Sequence, residues 1–206
     1  RRESQMKDQQ EFNPQSFAVV GAGPVGCIVA AFLAKGGYDV TLCDVVPELI
    51  EPARNRGIII EGAEHLSQVV SRTCTSVDEL TNYHPDVVII TVKANALSLI
   101  ASAIEDFYKD GMYVVSWQNG IDTEKEIANT LGSRPVIRAV VNYGCSLLEP
   151  ARVHMPFHHF PHFIQERDPE SRHAADLIAE ALTKSGLVSR HTDQIVSMVW
   201  RKSIMN

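Results

Sequence analysis

The segment Phe17-Ala-Val-Val-Gly21-Ala-Gly23-Pro-Val-Gly26-Cys-Ile-Val-Ala-Ala-Phe-Leu-Ala34 runs from an apolar strand through a glycine loop into a helix. Its three glycines have separate physical tasks. Gly21 lets the chain turn off the strand, and Gly23 lets the backbone approach a pyrophosphate without a clashing Cβ. Gly26 lets the following helix pack closely on the sheet. Such a helix points its first N–H groups and the positive end of its dipole at the phosphates. A glycine turn in an unrelated α/β fold is the alternative. The flanks favour the nucleotide-binding reading, because a second strand, Tyr38-Asp-Val-Thr-Leu-Cys-Asp44, follows at once.

Asp44 ends that second strand, where a carboxylate accepts hydrogen bonds from the adenosine ribose hydroxyls and repels a 2′-phosphate. Val45, Val46 and Pro47 supply no arginine to neutralise such a phosphate. The expected cofactor is therefore NAD(H) in preference to NADP(H), bound by Gly21, Gly23, Pro24, Val25, Gly26 and Asp44. The plainer reading of Asp44 is a cap for a helix starting near Pro47.

Downstream, helices and strands alternate. The pattern predicts a helix over 47–56, short strands at 58–62 and 68–72 as a hairpin beside the sheet, and a helical turn at 76–80. Val87-Val-Ile-Ile-Thr-Val92 is a continuous β-branched run, the signature of a strand buried on both faces. A helix over 95–109, a strand at 113–116, a helix over 122–131 and a strand at 136–142 follow. Residues 145–163 read as irregular, with room for an edge hairpin of the sheet. A helix over 169–185 ends at Gly186, and a short strand at 187–190 precedes a last helix from Gln194. Strands alternating with crossover helices imply an α/β fold, a doubly wound and mostly parallel sheet of Rossmann type. The domain expectation is a flexible tail at 1–16, a dinucleotide-binding domain at 17–190, and at 191–206 the first helix of a truncated helical domain. That helix is expected to expose Val196, Val199 and Trp200.

The 206 residues carry a net charge of −6 and no basic stripe, which argues against nucleic-acid or membrane-surface binding. No apolar run reaches the ~20 residues needed to cross a bilayer. Cys27, Cys43, Cys74 and Cys145 are scattered without paired spacing and read as small packed thiols in a reducing, cytoplasmic setting.

Three polar groups fall where strands end or a helix closes: Lys93 after the buried strand, Gln118-Asn119-Gly120 after the next one, and Lys202 near the end of the chain. Asn206 lies one turn beyond Lys202 on the same helical face. An ammonium beside amide donors suits carbonyl reduction, in which hydride arrives from a nicotinamide and a proton from the lysine. Taken singly, the lysines read as solvated charges and Asn119-Gly120 as a turn dipeptide.

Together, GAGPVG at 21–26, TVKA at 91–94, QNGI at 118–121 and WRKSIMN at 200–206 resemble the ketopantoate reductase family, in family order across 17–206. The resemblance implies reduction of 2-dehydropantoate to D-pantoate, with Lys202 as general acid and Asn206 as a substrate-binding amide. Asn119 would sit by the nicotinamide and reacting centre, and Lys93 by the nicotinamide ribose. It also implies a helical C-terminal domain that completes the cleft. The partner expected is a small 2-oxo acid, with a homodimer as the other partner considered. Two other readings are a non-catalytic NAD(H)-sensing module and a reductase of a different 2-oxo acid. The family usually has a glycine-rich edge strand where this chain has His154-Met-Pro-Phe-His158-His159-Phe-Pro-His162-Phe. Adjacent histidines on a strand point to opposite faces and no carboxylate or cysteine lies close in sequence, so no metal is expected. A partner-facing aromatic surface, an altered substrate mouth, or edge packing remain for that stretch.

Overall fold

The computed structural model describes residues 11–205. Strands β1 (Ser16–Val20), β2 (Asp39–Cys43), β5 (Arg72–Cys74), β6 (Val87–Ile90), β7 (Tyr113–Ser116) and β8 (Val136–Val140) are joined side by side in the order β5-β2-β1-β6-β7-β8, all parallel. β11 (His162–Glu166) runs antiparallel to β8, and β12 (Ser189–His191) closes that edge parallel to β11. The chain order reverses between β1 and β6, and ligands of open α/β sheets bind at such a switch point, beyond the carboxyl ends of the strands.

The central strands alternate at period two between two apolar cores. Phe17, Val19, Val87 and Ile89 face one core, with α1 (Pro24–Lys35) and α5 (Arg172–Ser185). Ala18, Val20, Val88 and Ile90 face the other, with α3 (Leu97–Glu105) and α4 (Thr123–Leu131). All eight strand residues are buried, each large one contributing roughly 1.5–3 kcal/mol of burial free energy. This explains why Val87–Ile90 is apolar on both faces: neither meets water, and only Thr91 and Val92, beyond the strand, reach the cleft.

A smaller sheet, ordered β4-β3-β10-β9, lies outside α1. It joins the hairpin β3 (Ile58–Gly62)–β4 (Leu66–Gln68) to β9 (Ser146–Glu149) and β10 (Arg152–Met155). Ile58, Ile60, Val153 and Met155 pack into the α1 core. The second hairpin therefore belongs to this added sheet and not to the edge of the main one. The strand expected at 68–72 divides into β4 and β5, which serve different sheets. His162 and Phe163, at the end of the stretch expected to be irregular, open β11.

Two further expectations change. Residues 1–10 of the supposed tail lie outside the described residues, but 12–16 are docked. Phe12 packs edge-on against Tyr113 at 4.8 Å, and the Gln15 N–H donates to Asp86 at 2.8 Å. The final helix, α6 (Ile195–Met205), packs on β8 through Ile195, Val199 and Val140. Val199 is only 8% exposed, whereas Val196 and Trp200 do face solvent as expected. α2 (Pro47–Asn55) has Val46 at its N-cap position and no side-chain cap.

Candidate active site

The glycine loop leaves β1 at Gly21, whose φ of +112° is left-handed backbone suited to glycine. A Cβ on Gly26 would lie 1.7 Å from the Gly21 carbonyl oxygen and 2.7 Å from Thr91 Oγ1. The first turn of α1 thus presses on the loop and on the end of β6, and no side chain larger than hydrogen fits. The Thr91 hydroxyl holds the same junction, 2.9 Å from the Val20 carbonyl and 3.2 Å from that of Gly21. Gly23 is the open position, since a Cβ there would meet nothing within 4 Å.

Beyond the strand ends lies a cleft of about 710 Å³. Gly21, Gly23, Pro24, Val25, Asp44, Lys93, Asn119 and Lys202 all line it. The sequence-derived candidates therefore converge, with two exceptions: Gly26 is buried behind the loop, and Asn206 lies outside the described residues. Two open grooves of about 660 and 1030 Å³ at the amino ends of the strands contain none of the motif residues.

Asp44 is fixed at the lip of the loop. Its Oδ2 accepts from the Ala22 N–H at 2.8 Å and its Oδ1 from the Val46 N–H at 3.0 Å. It is a latch across the glycine loop, not the helix cap of the plainer reading. Lone pairs remain on both oxygens.

Lys202 enters from α6, half-buried, and its ammonium donates to the Val141 carbonyl. Burial pulls its pKa below the ordinary lysine value; Arg138 acts in the same direction and Cys145 opposes. Lys93 and Asn119 are exposed at the rim. The neighbouring Gln118 is buried, its amide donating to the Val92 carbonyl, so the Asn119 loop is tied to the end of β6.

Two groups of this site, Arg138 and Tyr143, had escaped sequence reading. Arg138 is buried beneath the Asn119 loop; the signal was an arginine inside an apolar strand, which demands acceptors. Tyr143 Oη accepts from Trp117 Nε1 at 3.0 Å and donates to the Val25 carbonyl at 3.2 Å, pinning α1 to the end of β7. Burial drives its pKa well above the ordinary tyrosine value. Phe157 overhangs the cleft mouth, where a Cβ on Gly144 would lie 2.5 Å from its ring. Of the cysteines, Cys27, Cys43 and Cys74 are buried free thiols. Cys145 is half-exposed in the cleft, and burial raises its pKa to about 11, with Lys202 opposing.

Behind the cleft, two histidines of the 154–163 stretch form a buried chain. His162 Nδ1 accepts from the Asn142 N–H at 2.9 Å, so its Nε2 carries the hydrogen and donates to His158 Nε2 at 3.1 Å. His158 Nδ1 then donates to Glu64 at 2.9 Å. Burial, then His158 and Lys202, lower the His162 pKa to about 3. These two residues pack inside, while His159, Phe157 and Phe160 face outward. Among the described residues, no group of three or more His, Cys, Asp or Glu is placed to hold a metal ion. No helix is long and apolar enough to cross a membrane among them.

Residues 17–164 match the family model described as ketopantoate reductase PanE/ApbA. A 2-dehydropantoate 2-reductase of Pyrococcus horikoshii is 31% identical over 91% of this chain and 60% of its own length. One from Archaeoglobus fulgidus is 27% identical over 93% and 61%. The chain thus spans about 60% of the length of these curated relatives. Among solved structures, 2-dehydropantoate 2-reductase from Geobacter metallireducens superposes with a TM-score of 0.80 at 23% identity, over 92% of this chain and 62% of that one. A D-mandelate dehydrogenase ternary structure does so with 0.81 at 22%, over 92% and 61%, which establishes a shared fold. With the glycine loop, Thr91-Val-Lys93, Gln118-Asn119 and Lys202 gathered on one cleft inside that fold, the chain belongs to the ketopantoate reductase PanE/ApbA family.

Proposed function

We propose that the whole protein, of which this chain is the dinucleotide-binding part, reduces 2-dehydropantoate (ketopantoate) to D-pantoate with NADH. The observation that carries the reading is the convergence of Lys93, Asn119, Lys202 and the glycine loop on one cleft. The residues suit a dinucleotide. Gly23 leaves room for a pyrophosphate, α1 begins at the cleft with no side-chain cap on its N–H groups, and Asp44 lines the same cleft with lone pairs free to accept from hydroxyls. A bound nicotinamide supplies the hydride.

Lys202 donates the proton. As the carbonyl carbon gains hydride, the oxygen gains the Lys202 proton, giving a neutral alcohol and a neutral amine that reprotonates from water. Asn119 orients the reacting groups from the rim of the cleft, and Lys93 holds the nicotinamide ribose. Asn206, four residues after Lys202 in the sequence, binds the substrate. Asp44 favours NADH because its carboxylate repels a 2′-phosphate. Four free thiols accord with a reducing cytoplasm.

One observation favours a second reading, in which the substrate is a different 2-oxo acid. Phe157 presents a half-exposed ring at the cleft mouth, a surface for a larger apolar substituent. The fold neighbour D-mandelate dehydrogenase was solved with NADH and anilino(oxo)acetate. The test is oxidation of NADH and of NADPH by the full-length protein with ketopantoate and with aryl and branched 2-oxo acids. Turnover of ketopantoate with NADH is expected. Turnover of an aryl 2-oxo acid alone would select the second reading. Dinucleotide binding without any turnover would leave only a sensing module.

A further inference from the structure

Arg138 sits at the centre of β8, Val136-Ile-Arg-Ala-Val140, a strand buried at every position. Its side chain is 4% exposed, beside Glu124 at 9%, with 3.5 Å between their nearest charged atoms. A guanidinium taken that far from water requires acceptors. It finds them on the loop that carries Asn119. Nη2 donates to the Gln118 carbonyl at 3.0 Å and to the Gly120 carbonyl at 2.8 Å, while Nη1 lies 3.3 Å from Ser116 Oγ. The two carbonyls stand on either side of Asn119 in the chain. The loop adopts no helix or strand there and has Gly120 at φ +122°; this grip joins the Gln118 side chain, bonded to Ser116 Oγ and the Val92 carbonyl, and the Trp117 N–H in tying it to the sheet.

Arg138 also faces Lys202. The two cations and Asn119 wall one small cavity of about 30 Å³ at the back of the cleft, with space for a single water. Arg138 Nε is buried with no hydrogen-bond partner among the described residues.

We propose that Arg138 is a positioning residue for the reduction, holding Asn119 in the cleft through the carbonyls on either side and setting the charge around the Lys202 ammonium. The proposal rests on the reading of Lys202 as proton donor. Lys202 is made less basic by burial and by Arg138, and a less basic ammonium releases its proton more readily near neutral pH. Arginine suits the place because its planar fork serves several acceptors at fixed angles; a lysine keeps the charge but loses the fork.

The test uses full-length Arg138→Met and Arg138→Lys. It combines steady-state kinetics across pH with NMR titration of ¹³C-methylated lysines, the Lys202 resonance being the one lost in Lys202→Arg. Arg138→Met is expected to lower kcat by about tenfold or more while dinucleotide affinity changes by less than about twofold. The basic limb of the kcat profile and the Lys202 midpoint both move to higher pH, because a neighbouring cation has gone. Arg138→Lys is expected to lower kcat with the midpoint near wild type. A folded Arg138→Met with wild-type kcat, or with an unmoved Lys202 midpoint, overturns the proposal. If Arg138→Met does not fold, Arg138→Met/Glu124→Gln removes both buried charges together and is read by the same criteria. A wild type without turnover on any 2-oxo acid overturns the reductase reading instead, and the Lys202 midpoint then decides the role of Arg138 alone.

Discussion

Lys202 and Asp44 both line the cleft, and each is already held by backbone groups before any ligand binds: Lys202 by a carbonyl, Asp44 by two N–H groups. Preset side chains lose little freedom on binding. Lys202→Ala in the full-length protein should lower kcat by roughly 10²–10⁴-fold, the usual contribution of a positioned proton donor. Dinucleotide affinity, read by fluorescence titration, should stay near wild type; a variant with intact turnover would remove the general-acid role. At Asp44 the two roles predict different outcomes. A ribose-binding carboxylate makes Asp44→Ala weaken NADH by about tenfold and leave NADPH little changed, since one partner and one repulsion are both lost. A latch alone weakens both dinucleotides together, so the ratio of the two dissociation constants decides. Lys93, Asn119 and Asp44 were legible as candidates because each follows a strand whose apolar run is unmistakable. Arg138 was not, since nothing local in Val136-Ile-Arg-Ala-Val140 reveals that its acceptors lie on a loop after another strand.

Among the elements, β11 is the one hidden in the sequence. His162, Ile164 and Glu166 share one side of the strand, and a buried histidine there masks the apolar alternation that marks a strand. The central strands β1, β6 and β7 carry only apolar or small residues inward and were plain. That histidine should make the protein sensitive to acid. Folded His162 takes a proton only near pH 3, against an ordinary value of 6.5. Between those values the unfolded chain binds more protons, so stability falls as the pH drops from 6.5 towards 3. The loss attributable to His162 is on the order of a few kcal/mol at the lower end. Urea midpoints at pH 7 and pH 4 should separate less in His162→Gln than in wild type; an equal separation would mean that the acid response comes from other groups. The second sheet was half legible. Its β3–β4 hairpin has a local signal, whereas the union of β3 with β10 joins residues far apart in the chain.

For the molecule as a whole, the parallel sheet supplies a rigid edge on which loops from β1, β6 and β7 and a lysine from α6 meet. The Rossmann-type sheet could be read from alternating elements, but the docking of α6 against β8 could not. Its apolar residues would serve either a buried seam or a free face, and the structure uses them for both. Ile195 and Val199 pack inward, while Val196, Trp200 and Ile204 form an exposed stripe at helical spacing, with Trp200 at 50%. Such a stripe favours association. Sedimentation of the 206-residue chain should therefore show self-association that rises with concentration and weakens in Trp200→Lys. A strictly monomeric chain at high concentration would count against it. The most direct measurement of the account is a crystal structure of the full-length protein with NAD⁺ and D-pantoate. The account predicts the pyrophosphate over Gly23, the adenosine ribose on Asp44 and the substrate hydroxyl oxygen within about 3 Å of Lys202 Nζ. A dinucleotide bound elsewhere, or a hydroxyl out of reach of Lys202, would contradict it.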